Sequence, residues 1–355
     1  MISERKKVLY ISNIQVPYRV RFFNLLAEKC DLTVLYERSQ SGSRDKAWTQ
    51  SAQENYKREF LDGVKIGNES SFSFKILKYL MRDYDEIIIG CYSTPVQMFA
   101  NLFLRLIRKP FIMNFDGEIF ADGNSFKTHM KKYFIKGASK YLIAGERAAI
   151  SLKTIAGMKP IIPYYFSSLT EQELKNHKIA VGGDYRTDYA LVVGQYYPYK
   201  GMDIAVQVAE LLPEYKFKFV GMGKRTAEFI ADTHADQLAN VEIISFLQTA
   251  ALEEEYRKCK MLILPTRQEC WGLVVNEAAS FGTPVVSTNG SGAAVEFLFE
   301  KYPFLLAEPD NAENLAEVVR AAWNMQMRDY SGYLIEKSEK YSIEHSVDCH
   351  MKAFQ

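Results

Sequence analysis

Short apolar runs of strand character alternate with helical runs along this chain, and the alternation starts twice. In the first half "KKVLYISNI", "DLTVLYE", "YDEIIIGC", "PFIMNFDGE" and "KYLIAGER" read as strands, separated by helical stretches such as "YRVRFFNLLAEK". That rhythm belongs to a parallel sheet covered by helices. It breaks near "GMKPIIPYYFSSLTEQEL", where Pro160, Pro163, Ser167 and Ser168 mark a connector. Beyond it "YALVVG", "YKFKFVG", "VEIIS", "MLILPT" and "TPVVSTN" supply strands again, and "MDIAVQVAELL" places Ile204, Val208, Leu211 and Leu212 on one helix face. The expectation is an α/β chain with two Rossmann-like, doubly wound domains, residues 1–168 and 169–335, facing a cleft. Residues 336–355 are expected to form a surface helix packing back towards the first domain. In open α/β sheets ligands sit at the carboxyl ends of strands, so the loops there carry the search for a site.

Composition narrows the class. With 48% hydrophobic and 25% charged residues the chain has the balance of a folded globular protein. The basic start runs into Ser12, Asn13 and Arg19 and reads as a first strand, not a leader. The longest uncharged run, Ile87 to Leu104, is interrupted by Ser93, Pro95, Gln97 and Asn101, so no membrane-spanning helix is expected. Five scattered cysteines and five dispersed histidines signal neither a disulfide framework nor a metal site, and point to a reducing cytosol. Charge is uneven: residues 1–170 hold 26 Lys and Arg against 16 Asp and Glu, and residues 171–355 hold 18 against 27. Such asymmetry turns one half towards an anionic partner.

The densest chemistry lies in "PTRQECWGLVVNEAASFGTPVV". A strand ends, a polar loop follows, and a helix begins near Gly272 and stops at Gly282 and Pro284. Glu269 precedes that helix and Glu277 lies inside it. Between them the amides of Trp271, Gly272 and Leu273 lack helical partners, which makes an anion site suited to phosphate. Two carboxylates flanking a phosphate site suit the sugar and ribose hydroxyls of a nucleotide sugar. "VVGQYYPYKG" adds Gly194, Gln195 and Lys200 after another strand, and "FVGMGKR" adds Gly221, where backbone approaches a ligand closely.

These pieces, with a late "LLAEPDNAENLAEVV", stand in the order of the retaining glycosyltransferases of family four, which have the GT-B fold; residues from about Tyr189 to Pro309 resemble that family. The resemblance implies that Glu269 contacts the donor sugar, Glu277 the nucleotide ribose and Lys200 the diphosphate. The arginine usually paired with that lysine is replaced by Gln195, which brings no charge to the leaving group. The first half is similar only in rhythm. Its first loop, "SNIQVPYRVRFF", is not glycine-rich, and "NFDGE" stands where a histidine is usual. Asp116 becomes the catalytic candidate there, with Glu118 and Arg19 on the acceptor side. The family chemistry needs no metal, cofactor or covalent nucleophile, only a nucleotide sugar as co-substrate and a saccharide acceptor.

"FKTHMKKYFIKGASKY" is expected to be an amphipathic helix from Phe126 to Tyr141, with Phe126, Met130, Tyr133, Phe134 and Tyr141 on one arc and most of its lysines outside it. With the basic first half it points to an anionic membrane at the inner face of the plasma membrane, and to a polyprenyl-diphosphate-linked acceptor in polysaccharide synthesis. No nucleic-acid motif accompanies the lysines. The competing reading is a non-catalytic relative that binds acceptor or a second glycosyltransferase.

Overall fold

A computed structural model describes residues 5–39, 53–66, 70–119, 123, 125–180, 186–326 and 328–355. The chain divides into two compact units, residues 1–166 with 343–355, and residues 167–342.

The first unit contains β1 (Lys7–Ile14), α1 (Pro17–Lys29), β2 (Asp31–Arg38), β3 (Lys57–Phe60), β4 (Val64–Ile66), β5 (Ser70–Phe72), α2 (Ile76–Leu80), β6 (Glu86–Ile89), α3 (Pro95–Leu106), β7 (Ile112–Phe115), α4 (Phe126–Ile135), β8 (Lys140–Ala144), α5 (Glu146–Ala156) and β9 (Ile161–Tyr164). The second contains α6 (Glu171–Ala180), β10 (Tyr189–Val193), α7 (Met202–Leu211), β11 (Lys216–Val220), α8 (Thr226–Thr233), β12 (Val241–Ile244), α9 (Thr249–Lys258), β13 (Met261–Leu264), α10 (Leu273–Ser280), β14 (Val285–Thr288), α11 (Gly292–Leu298), β15 (Leu306–Ala307), α12 (Ala312–Trp323) and α13 (Arg328–Ser338). The last helix, α14 (Ile343–Ala353), belongs to the first unit.

Both large sheets are parallel, and β4 and β5 form a small antiparallel pair. The first runs β3-β2-β1-β6-β7-β8-β9, and the second runs β12-β11-β10-β13-β14-β15. The strand order reverses beside β1 in one and beside β10 in the other, and loops at such a reversal are where open sheets take ligands. The central strands are buried on both faces, Val8–Ile11 and Met261–Leu264 almost completely, so they read as continuous apolar runs.

Three sequence expectations change. The Pro160–Pro163 stretch is not only a connector, because Ile161–Tyr164 forms the edge strand β9, paired with β8. Pro163 lacks a donor, and a sheet edge tolerates that. The segment from Phe126 to Tyr141 is not one helix: α4 stops at Ile135, and Tyr141 is buried in β8. On α4 Phe134 faces the core, while Phe126, Met130 and Tyr133 are exposed. The C-terminal segment divides at Tyr341 and Ser342; α13 stays with the second unit. In α14, Ile343, Ser346, Val347 and His350 form a buried stripe against α1 and β9.

Candidate active site

Lys200 follows β10 in a loop held against the carboxyl end of β13. Thr266 Oγ1 donates to the Tyr199 carbonyl at 2.8 Å and the Arg267 amide donates to it at 2.9 Å. Gly201 closes the loop with φ of 66°, and a Cβ there would sit 2.0 Å from the Pro265 carbonyl oxygen. Only glycine meets both conditions. Arg267 makes the strongest tether. Its fork bonds both Asp203 carboxylate oxygens, at 2.8 and 2.6 Å, while Nε bonds Asp310 at 2.6 Å and Nη1 bonds the Pro198 carbonyl at 2.7 Å. Burial would raise the Asp203 pKa, but the Arg267 hydrogen bonds hold its carboxyl below the ordinary value.

That loop delivers Lys200 Nζ to Glu269 Oε1 in an ion pair. Glu269 is fixed by its own backbone: its amide donates to the Gly290 carbonyl at 2.9 Å, and its carbonyl accepts from Gly292 at 3.2 Å. Its second carboxylate oxygen, Oε2, is buried and has no hydrogen-bond partner. Gly272 caps α10 with φ of 109°, and a Cβ there would lie 3.5 Å from that oxygen and 3.0 Å from Ser291 Oγ. A side chain would crowd the space beside the carboxylate.

Glu277 lies in the second turn of α10. Its oxygens accept from Tyr256 OH at 2.9 Å and Ser168 Oγ at 3.1 Å, and burial raises its pKa despite those bonds. Each oxygen retains a second lone pair. Trp271 is buried, with its indole N–H on Asn276 Oδ1 at 2.8 Å, and so anchors the start of α10. Leu273 opens the helix. Gly194 and Gly221 directly follow β10 and β11 and lie side by side, so that a Cβ added at Gly221 would sit 3.3 Å from the Gly194 carbonyl oxygen, and Gln195 follows at intermediate exposure. The second unit therefore gathers all nine donor-side candidates around the carboxyl ends of β10, β11 and β13.

In the first unit Asp116 is held inside a network. Arg19, on α1, forms an ion pair with it, Tyr164 OH donates to it at 2.9 Å and Asn114 Nδ2 lies at 3.1 Å. Asn114 Oδ1 lies 3.0 Å from Nε2 of His350, whose pKa falls to about 3 through burial. Arg19 is buried and faces Asp116 rather than solvent. Glu118 lies two residues further on, half-buried. A separate polar cluster surrounds the buried Glu37 at the end of β2: Gln97 Nε2 donates to its Oε1 at 2.7 Å and Thr94 donates to the same oxygen, while Oε2 is unpaired. Burial raises the Glu37 pKa to about 7.

Residues 176–341 match the family model described as glycosyl transferases group 1. That region is similar to the group 1 glycosyl transferases. It includes Gln195, Lys200, Glu269 and Glu277. The chain is 28% identical to an uncharacterized glycosyltransferase of Methanocaldococcus jannaschii over 52% of this chain and 55% of that one. It is 27% identical to the Vi polysaccharide biosynthesis protein VipC/TviE of Salmonella typhi over 54% of this chain and 33% of that one. The chain thus spans about half the length, or less, of these curated relatives. Sucrose-phosphate synthase from Thermosynechococcus elongatus superposes with a TM-score of 0.70 at 13% identity, covering 99% of this chain and 98% of that one. Anabaena HepE in complex with UDP does so with 0.67 at 14% identity, covering 98% and 99%. At these identities the likeness is one of fold, the GT-B fold of two parallel α/β domains.

Ser168 and Tyr256, which hold Glu277, and Arg267, which holds the Lys200 loop, were not legible as site residues in the sequence. Nothing local marks them, because each acts on a residue at least twenty positions away.

Proposed function

We propose that the protein transfers a sugar from a nucleotide-diphosphate sugar to a hydroxyl of a saccharide acceptor, with retention at the anomeric carbon and without a metal or other cofactor. The observation that carries this reading is Glu269 Oε2, a buried oxygen without a partner beside the Lys200 ammonium at the strand ends of a group 1 region. Buried polar atoms are nearly always hydrogen-bonded, so such an atom is suited to a ligand hydroxyl. In this reading Lys200 binds the diphosphate, the amides opening α10 support it, Glu269 accepts from the donor sugar and Glu277 accepts from the ribose. The bond from anomeric carbon to diphosphate breaks, a bond to the acceptor oxygen forms, and the acceptor proton passes to the departing diphosphate. The residues position the donor and offset charge on the leaving group.

The UDP held by HepE makes a uridine donor the first to test. A lipid-linked acceptor at the inner face of the plasma membrane extends the reading and is supported by the basic first half of the chain. Calorimetric titration with UDP, GDP and ADP, without added metal, tests the donor site. Selective binding that Glu277→Ala weakens is the expected result. No binding to any of the three would transfer support to a non-catalytic, acceptor-binding relative, with Gln195 as the first residue to examine.

A further inference from the structure

Helices α2, α3, α4 and α5 pack on one face of the first sheet and share a single core, which includes Ile76, Leu80, Val96, Leu104, Ile135 and Leu152. The outer surface of the first three is unusual in two respects. It exposes large apolar side chains: Met81 is 70% exposed, Leu106 79% and Phe126 81%, with Phe74, Leu102 and Tyr133 also open to solvent. It is also predominantly basic, although Tyr79 on α2 donates to the Glu59 carboxylate of β3. Residues 74–82, 102–109 and 126–136 contribute three, three and four Lys or Arg respectively, and no Asp or Glu. The nearest following carboxylates, Asp83 and Asp85, lie in the turn before β6, where Asp85 accepts from the Lys7 amide at 2.7 Å.

The three helices are joined edge to edge. The Asn101 side chain on α3 donates to the Phe134 carbonyl at 2.9 Å, the Arg105 guanidinium covers the Tyr133 ring at 4.4 Å, and Lys109 Nζ donates to the Arg82 carbonyl at 2.6 Å. Phe74, just before α2, packs edge-on to Phe99 of α3, with centroids 5.9 Å apart. Bulky apolar groups thus stand among cations on one continuous layer.

We infer that the α2–α3–α4 face of the first unit docks on an anionic lipid bilayer, with Met81, Leu106 and Phe126 entering the headgroup boundary and the surrounding lysines and arginines engaging lipid phosphates. A surface apolar in its projections and predominantly basic around them is complementary to such an interface, where aliphatic stems bury and charged heads remain with phosphate. The inference assigns a face to the membrane part of the function proposed above and does not depend on the identity of the donor.

The test is co-sedimentation of the full chain with vesicles of phosphatidylcholine alone and of phosphatidylcholine mixed with phosphatidylglycerol. Binding to the mixed vesicles only is expected. Leu106→Ser combined with Phe126→Ser should weaken it about tenfold or more through lost apolar burial. Lys127→Gln, Lys132→Gln and Lys136→Gln together should weaken it by about fivefold per lysine, and added salt should weaken it further. No binding to either vesicle, equal binding to both, or binding that survives both sets of substitutions overturns the inference. Thermal unfolding and UDP titration of the same variants show whether they fold. Absence of nucleotide binding in the unsubstituted protein would count against the donor site and leave the vesicle result standing.

Discussion

Lys200 and Glu269, 69 positions apart in sequence, meet in an ion pair that occupies one carboxylate oxygen of Glu269 and leaves the other buried without a partner. The pair fixes the lysine head where two strand ends converge. It also orients the carboxylate so that its unsatisfied oxygen is the one available to a ligand.

If Lys200 binds the diphosphate as proposed, Lys200→Ala removes a charge-assisted bond and should weaken nucleotide-diphosphate binding by about 1.5–3 kcal/mol. Binding of the nucleoside monophosphate should fall less, so titration with UDP and UMP separates the two. Equal losses for both would show that Lys200 acts on the fold and not on the terminal phosphate.

Glu277→Ala should weaken nucleotide binding by about 1–3 kcal/mol if its carboxylate bonds the ribose. Titration with UDP and with 2′-deoxy-UDP gives the check. The substitution should matter less for the deoxy ligand, and unchanged affinity for both would remove Glu277 from the site.

Arg267→Lys keeps the charge but cannot reproduce the fork that joins Asp203, Asp310 and the Pro198 carbonyl. A stability loss of about 1–2 kcal/mol is expected in urea unfolding, with weaker UDP binding although Arg267 contacts no ligand in this reading. Nucleotide affinity equal to that of the unsubstituted protein would show that the Lys200 loop holds its place without this tether.

Gly201→Ala forces a Cβ onto the Pro265 carbonyl at a positive φ, so the loop carrying Lys200 has to move. The expected cost is on the order of 2–4 kcal/mol, measured by thermal unfolding, and nucleotide affinity should fall with it. A variant as stable as the parent would contradict the close packing of these two loops.

Glu37 gives a pH dependence with a definite sign. Burial raises its pKa to about 7 in the folded chain, so the folded state keeps a proton that the unfolded chain has released. The associated stability is complete below the unfolded value of ~4.3, is lost as pH rises towards 7, and amounts to on the order of 3 kcal/mol. Glu37→Gln should flatten that part of the profile in urea unfolding across this range. Parallel profiles for the two proteins would rule out Glu37 as the source.

Much of the fold was legible because it rests on short-range rules. Apolar runs marked β1, β2, β10, β11 and β13, the spacing of Ile204, Val208 and Leu211 marked α7, and Gly272 and Gly282 bounded α10. The strand at Ile161–Tyr164 was hidden because Pro163 argues against a strand everywhere except at an edge, and edge position belongs to the whole sheet. The end of α4 was obscured in the same way, since Tyr141 fits its helical spacing and is nevertheless taken by β8.

By itself the sequence determined two parallel α/β units and placed Glu269, Glu277 and Lys200 on loops and a helix start at strand ends, since periodicity and turn chemistry act within about ten residues. Tertiary structure alone decided that Arg267 carries the Lys200 loop, that Ser168 and Tyr256 hold Glu277, that Arg19 is bound to Asp116, and that His350 on the last helix reaches Asn114 across 236 positions. Those pairings depend on which strand lies beside which and on what a packed interior brings within hydrogen-bond distance, and no local pattern in the chain encodes either.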